Sequence, residues 1–324
     1  MLTGYALAEH RIGNIRKKLG LVNLKLIENF RREIEKTFRN EIKNQNCRKL
    51  LLSDEHLQAR LRSVEEIQCL KKFLDKFVNK YKIVVYLRSQ PEMAISFYSD
   101  YCRSGGTQKT ILQEVTEGDL LFNYEKLLKR WSKIFGFENI IPRIFSHTEF
   151  PDGDIKKDFI RLLGLNWNEF ENVENSNESI NVDAQRFLLE INKFLPGVIG
   201  DKNKARGNIV QLVSANRRGK GLLPTRKQVE NFLKIFADSN ERLRKKWFPE
   251  RKNLFEVDFS IYPEKPFSDT DYTFAFKIFA EIWSKKHEEV LSLIEKNKAI
   301  GIPLKTSDKI EKAKTKLRKF ITKK

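Results

Sequence analysis

Three groups of residues have types and spacings that could do chemistry. The first is Arg88 with Ser96, eight positions apart across Ser89-Gln90-Pro91. Arg88 follows Ile83-Val84-Val85-Tyr86-Leu87, a short β-branched and aromatic run without alternation, as expected of a parallel strand covered on both faces. Pro91 forbids continuation of the strand and suits the first turn of a helix. A cation at the carboxyl end of a buried strand and a hydroxyl along the following helix would face one crevice and make an anion site. The plainer alternative is an Arg88 paired with a carboxylate and a Ser96 that is an ordinary surface residue. The second group is Asp54-Glu55-His56, which ends the apolar run Lys49–Ser53 and would place an acid and an imidazole at the end of another candidate parallel strand. Ser53 or Asp54 could equally cap a helix, with Glu55 in its first turn. The third is Arg217-Arg218-Gly219-Lys220-Gly221, in which cations and glycine-flanked amides suit a phosphate dianion or form a solvated basic loop.

These residues need elements to hold them. Val64, Ile67, Leu70, Phe73, Leu74 and Phe77 recur at helical steps, so 50–87 reads as strand, helix, strand, with the strands parallel. Before it, Leu24, Ile27, Phe30, Ile34 and Phe38 outline an amphipathic helix. Ser104-Gly105-Gly106-Thr107 breaks the helix after Arg88 and reads as a mobile connection, since no strand precedes it and no Gly-Lys-Ser/Thr follows. Farther on come a helix with Tyr124, Leu127 and Trp131, the turn Phe135-Gly136-Phe137-Glu138-Asn139, a strand from Ile140 to Phe145, and a helix containing Asp158-Phe159 that ends at Leu163-Gly164-Leu165. Gly136 and Gly164 fit helix ends that need positive φ. His147 reads as a satisfied structural residue. The Asn-rich stretch 172–181 separates this part from a basic, helical part. Asp269–Lys298 reads as a further helix whose first half, with Phe274, Phe276, Ile278, Phe279, Ile282 and Trp283, is apolar nearly all round and should be buried.

Arg88, Pro91, Ser96 and Tyr98 resemble the 3'-phosphate segment of sulfotransferases that use 3'-phosphoadenosine 5'-phosphosulfate (PAPS). The succession from Tyr124 to Leu165, and Ser239–Leu243 with Trp247-Phe248-Pro249, resemble later segments of bacterial members. The resemblance covers about 1–265 and implies a P-loop NTPase-like α/β fold and transfer of a sulfuryl group from PAPS to a hydroxyl or amine, with a glycan or glycolipid as acceptor. It assigns the 3'-phosphate to Arg88 and Ser96, joined by Arg217, Arg218 and Lys220. It also implies a general base at Glu55 or His56, with Glu55 preferred, because the attacking hydroxyl must lose its proton. Two departures matter. Ser89 and Gln90 separate Arg88 from Pro91, where the family has a shorter turn. No strand and Lys-bearing phosphate loop precedes Glu9, so the chain reads as beginning downstream of the family's first strand. A non-catalytic nucleotide- or anion-binding relative is therefore the second expectation.

Composition bounds these readings. The 324 residues, 40% hydrophobic, can bury a large core, and a formal net charge of +19 favours anionic partners. Nucleic-acid binding rests on charge alone, without a recognisable module. Cys47, Cys69 and Cys102 are scattered and odd in number, which argues against a disulfide framework or a metal site and fits a reducing, cytoplasmic compartment. The tail Ser307–Lys324 alternates lysines with Ile, Leu and Phe, as in a frayed basic helix or one lying on an anionic membrane. The sequence thus predicts an α/β protein with a mostly parallel sheet over 1–265 and a helical extension over 266–324, with no metal.

Overall fold

The run Ile83–Leu87 is a strand, β1, and it pairs in parallel with β2 (Ile140–Ile144), Ile83 lying opposite Ile140 and Leu87 opposite Ile144. The structure is a computed structural model and describes residues 1–43, 49–171, 179–195, 208–267 and 273–299. Among these, the two strands form the sheet and helices make up most of the remainder, so the protein is mixed α/β. Cys47 and the tail Ser307–Lys324 lie outside the described residues. No helix among the described residues is long and apolar enough to cross a membrane, and no group of His, Cys, Asp and Glu there could hold a metal ion.

The chain opens with two short helices, α1 (Leu2–Ala6) and α2 (Asn14–Lys18), followed by α3 (Leu24–Lys43). The carbonyls that end α1 have no partners within the helix. Arg16, fully buried, meets them by donating to the Leu7 and Ala8 carbonyls at 2.6 Å each and to the Gly4 carbonyl at 3.3 Å. The stripe predicted for α3 is present, with Ile27 buried and Phe30, Ile34 and Phe38 against the core. Then come α4 (His56–Arg60) and α5 (Val64–Leu74), the latter started by a reciprocal cap between Ser63 and Glu66. The predicted strand over Leu50–Ser53 is not formed, which corrects the strand-helix-strand reading. Leu51 is 59% exposed and Leu50 39%. With Leu52 alone of the three leucines against the core and no strand beside it, the segment has neither the burial nor the ladder a strand needs.

After β1 the chain forms α6 (Gln90–Arg103) and α7 (Tyr124–Phe135), which leads through Gly136 at φ +89° into β2. The Ser104–Thr107 connection is held rather than loose: Asn192 donates to the carbonyls of Cys102 and Gly106, and the Tyr101 hydroxyl accepts from the Thr107 and Gln108 N–H groups. Beyond β2, α8 (Ile155–Leu162) ends at Gly164 with φ +67°, as predicted. The remaining helices are α9 (Val182–Phe194), α10 (Ile209–Asn216), α11 (Arg226–Ile235), α12 (Ala237–Trp247) and α13 (Thr273–Ala299).

Burial follows three clusters. The largest joins α1, α5, β1, α7, β2 and Leu243 of α12 around Phe73, Leu87, Tyr124 and Leu128. A second joins Tyr98 and Cys102 of α6 to Phe187 and Leu188 of α9, Val213 of α10, and Phe274 and Ile278 of α13. A third joins Ala94 of α6 to Phe122, Phe232 and Phe236. Helix α6 thus supplies residues to two of these cores and takes its starting position from β1. For α13 the burial expectation is corrected: Phe274 and Ile278 are buried, but Phe276, Phe279 and Trp283 are 75%, 59% and 65% exposed. One helix face can meet the α9 and α10 layer, and the described residues put nothing on the other.

Candidate anion site at the carboxyl end of β1

Leu87 is fully buried, and its carbonyl accepts from the Phe145 N–H at 2.7 Å, which carries the pairing one residue beyond β2. Arg88 comes next, at the exit from the sheet. Its backbone carbonyl accepts from the Tyr124 hydroxyl at 2.8 Å, and its guanidinium lies over the Phe145 ring, 5.1 Å from the centroid. The turn that follows accommodates the two residues before Pro91. Ser89 takes the position preceding α6, Gln90 begins the helix, and Pro91 falls in the first turn, where its missing N–H costs nothing. Gln90 is fully buried and exchanges amide hydrogen bonds with Asn240 of α12, at 2.7 and 3.1 Å, so the turn is fixed from outside. The Ser89 side chain is buried and its hydroxyl meets no partner among the described residues.

Arg88 pairs with Glu92 at 3.4 Å, both side chains being about two-fifths exposed (38% and 40%). The plainer alternative for Arg88 is thus realised. Ser96 is half-buried and lies one turn beyond Glu92, about 6 Å along the helix. Arg88 thus pairs with Glu92, and Ser96, one turn further along the same helix, makes no hydrogen bond to Arg88. Tyr262, from a segment far along the chain, is buried beside them. Its phenol is pushed up to about 12, first by burial and then by the Glu92 carboxylate, against the lowering effect of Arg88. The sequence signals neither Tyr262 nor Tyr124 as part of this corner. Glu92 could have been found, because it stands four residues from Arg88.

The other predicted residues lie in separate surroundings. Glu55 and His56 sit at the start of α4, where their side chains are 86% and 47% exposed and 3.5 Å apart. A helix does start here, but Glu55 itself takes the capping position, without a side-chain capping bond, instead of Ser53 or Asp54. Asp54 accepts from the His56 N–H at 3.0 Å and from the Thr3 N–H and hydroxyl at 3.1 and 2.9 Å, which ties α1 to α4. Burial pushes the Asp54 carboxyl up, but these donors outweigh it and hold the group below its ordinary value. Neither Glu55 nor His56 is joined to Arg88 or Ser96 by a hydrogen bond or ion pair. In the basic loop, Arg217 pairs with Glu281 of α13 at 2.6 Å. The backbone of Arg217 and Gly219 bonds to Asn181 and Ser179, just ahead of α9, while Arg218 and Lys220 are exposed. The loop is thus anchored to the start of α9, and α9 in turn packs on α6, the helix that carries Ser96. His147 is satisfied by the Gly153 carbonyl at 2.8 Å, as expected of a structural residue.

A second polar group fixes the far face of the sheet. Tyr86 of β1 donates to Asp158 of α8 at 2.7 Å, and Arg143 of β2 grips the same buried carboxylate through two nitrogens. Since Tyr86 lies opposite Arg143 in the ladder, one carboxylate clamps both strands one residue short of the Arg88 turn.

No family model matches the chain, and no solved structure matches it. An uncharacterized protein of Archaeoglobus fulgidus is 28% identical over 209 residues, which is 63% of this chain and 56% of that protein. The chain thus spans little more than half the length of this relative.

Proposed function

We propose that the chain binds PAPS, or its product adenosine 3',5'-bisphosphate, at the carboxyl end of β1 and transfers the sulfuryl group to an acceptor hydroxyl or amine, as its resemblance to bacterial sulfotransferases implies. The observation that carries this reading is the corner itself: a half-exposed Arg88 at the exit of a parallel strand, next to the start of a helix on which Ser96 follows one turn after Glu92. Crevices at the carboxyl ends of parallel strands are where open α/β sheets take ligands. A phosphate dianion there would take the guanidinium from Glu92 and a hydrogen bond from the Ser96 hydroxyl. The basic loop would add charge from the α9 side through the exposed Arg218 and Lys220, with Arg217 joining only on release from Glu281. The P-loop NTPase-like arrangement of the rest of the fold is part of the proposal.

Sulfuryl transfer resembles phosphoryl transfer, in which catalysis rests on positioning and on cations that stabilise the leaving group. Glu55 is the proposed base, with His56 beside it as the alternative, and their exposure leaves room for a large acceptor such as a glycan or glycolipid. Calorimetry with adenosine 3',5'-bisphosphate and AMP tests the site. The bisphosphate should bind more tightly, and Arg88→Ala should remove most of the difference; equal affinities would sink the assignment. Transfer from sulfur-labelled PAPS to a pool of glycans then separates the enzyme from a binding protein, for which the nucleotide difference would persist with no label transferred.

A further inference from the structure

The α13 helix carries an apolar seam that the described residues leave uncovered. Its inner face, Phe274 and Ile278, packs on the second core. On the opposite side Phe276, Phe279, Trp283, Val290 and Leu293 are between 50% and 75% exposed, and Phe279 stacks on Trp283 at 6.4 Å between centroids. Their spacing alternates three and four residues once Lys286 is included, the heptad rhythm of a seam that faces another helix. The distal half of α13 sharpens the point. From His287 to Lys296 every residue but Ile294 is exposed, although Val290, Leu291 and Leu293 are apolar. A helical arm of this length without tertiary contacts is marginal in water.

We infer that a second copy of this chain covers the seam, the two α13 helices lying antiparallel across a two-fold axis between Ser284 and Lys285. In that register Phe276 meets Leu293 of the second copy, Phe279 meets Val290 of the second copy, and Trp283 meets Lys286 of the second copy. The interrupting lysine chooses this arrangement. In a parallel pair each Lys286 would face its own copy. Antiparallel, it lies over the face of Trp283, where a cation is favoured, while keeping its 2.7 Å pair with Glu289. The geometry also suits the arms: the projecting half of each helix lies on the half of the other that is braced against α9 and α10, and the contact is isologous, so it closes as a dimer.

Area sets the strength. The three aromatic rings leave roughly 400 Å² per chain in water, taking about 200 Å² for a ring at exposures of 75%, 59% and 65%. With the aliphatic residues, two copies bury roughly 1,000 Å², the lower end for specific association, so the dimer is reversible.

Sedimentation of the full chain over about 1 to 100 µM should show a monomer shifting to a dimer, and Trp283→Glu should weaken the dimer at least tenfold, as expected for an anchor residue. Trp283 is 65% exposed, so that variant keeps its fold, checked by an unchanged circular dichroism spectrum. Orientation is read by cross-linking. The double variant Phe279→Cys with Val290→Cys should form a disulfide-linked dimer under mild oxidation, above the background of the wild type and of each single variant. Within one helix these positions are roughly 16 Å apart and cannot bridge. A monomer at every concentration, as when the chain's own residues cover the seam, would overturn the inference. So would a dimer indifferent to Trp283→Glu, or equally efficient cross-linking by Val290→Cys alone, the mark of a parallel pair.

Discussion

The Arg88 and Glu92 pair gives the proposed anion site a test in which two substitutions act in opposite directions. Glu92 holds the guanidinium at 3.4 Å with both side chains about two-fifths in water. A pair so exposed is worth only about 0.2–1 kcal/mol, whereas a charge-assisted contact to a phosphate is worth about 1.5–3 kcal/mol. The phosphate therefore wins the guanidinium, and the difference decides the signs. Arg88→Ala should lower affinity for adenosine 3',5'-bisphosphate by roughly 10- to 150-fold and leave that for AMP nearly unchanged. Glu92→Gln should raise bisphosphate affinity by roughly two- to fivefold, because the phosphate no longer competes with a carboxylate or lies beside one. Calorimetry at low ionic strength measures both, and added salt should shrink both effects. If the pair were only a surface contact, neither change would alter the preference for the 3'-phosphate. A Glu92→Gln protein that binds the bisphosphate more weakly than the wild type would refute the reasoning, since Glu92 would then be helping the ligand rather than competing with it.

Three further outcomes follow from named contacts. Glu55→Gln should abolish sulfate transfer while leaving nucleotide affinity and the melting temperature unchanged, because Glu55 is 86% exposed and a base acts in the transition state; full activity in Glu55→Gln with loss in His56→Ala would move the role to His56. Arg16→Met should cost roughly 1–3 kcal/mol in urea unfolding, since the buried Leu7 carbonyl loses its 2.6 Å donor whereas the Ala8 carbonyl keeps the Arg11 N–H; an unchanged midpoint would show that water replaces the guanidinium. Glu66 predicts acid sensitivity: burial pushes its carboxyl up, but the Ala8 and Arg62 N–H groups and the Arg11 guanidinium outweigh burial and hold it below its ordinary 4.5. A depressed folded value means this stabilisation is full above 4.5 and is lost as the pH falls through the lower folded value. Glu66→Gln should therefore flatten the acid limb of a stability profile, and an acid limb identical to that of the wild type would reject the assignment.

Local rules carried much of this chain. The unalternating run before Arg88 and the proline after it were enough to place β1 and the start of α6, because β-branched and aromatic composition and a missing N–H are properties of a few adjacent residues, although of the strand only Leu87 is fully buried and the other four residues are partly buried. The same holds for the α3 and α7 stripes, for β2, and for the glycines at 136 and 164. Rules of this kind failed where an outcome depended on a distant neighbour. Lys49–Ser53 has the composition of a strand but no strand to pair with among the described residues, and the apolar first half of α13 has one layer to pack on, so three of its four aromatic residues stay in water. The turn at Ser89 and Gln90, an apparent irregularity in the sequence, is held by Asn240, 150 residues away. The buried Arg16 looks like one more cation in a basic chain, yet it closes the end of α1.

The candidate site divides the same way. Sequence determined that Arg88 leaves a parallel strand and that Ser96 follows on the next helix, since both are consequences of chain order and local conformation. Tertiary structure alone decided that Tyr124 and Tyr262 border that corner, that Arg217 is spent on Glu281, and that Glu55 and His56 begin a helix without bonds to Arg88. The physical reason is range. Strand and helix signals come from neighbours within a few residues, whereas the charge that reaches a side chain is set by groups that only packing brings within a few ångströms.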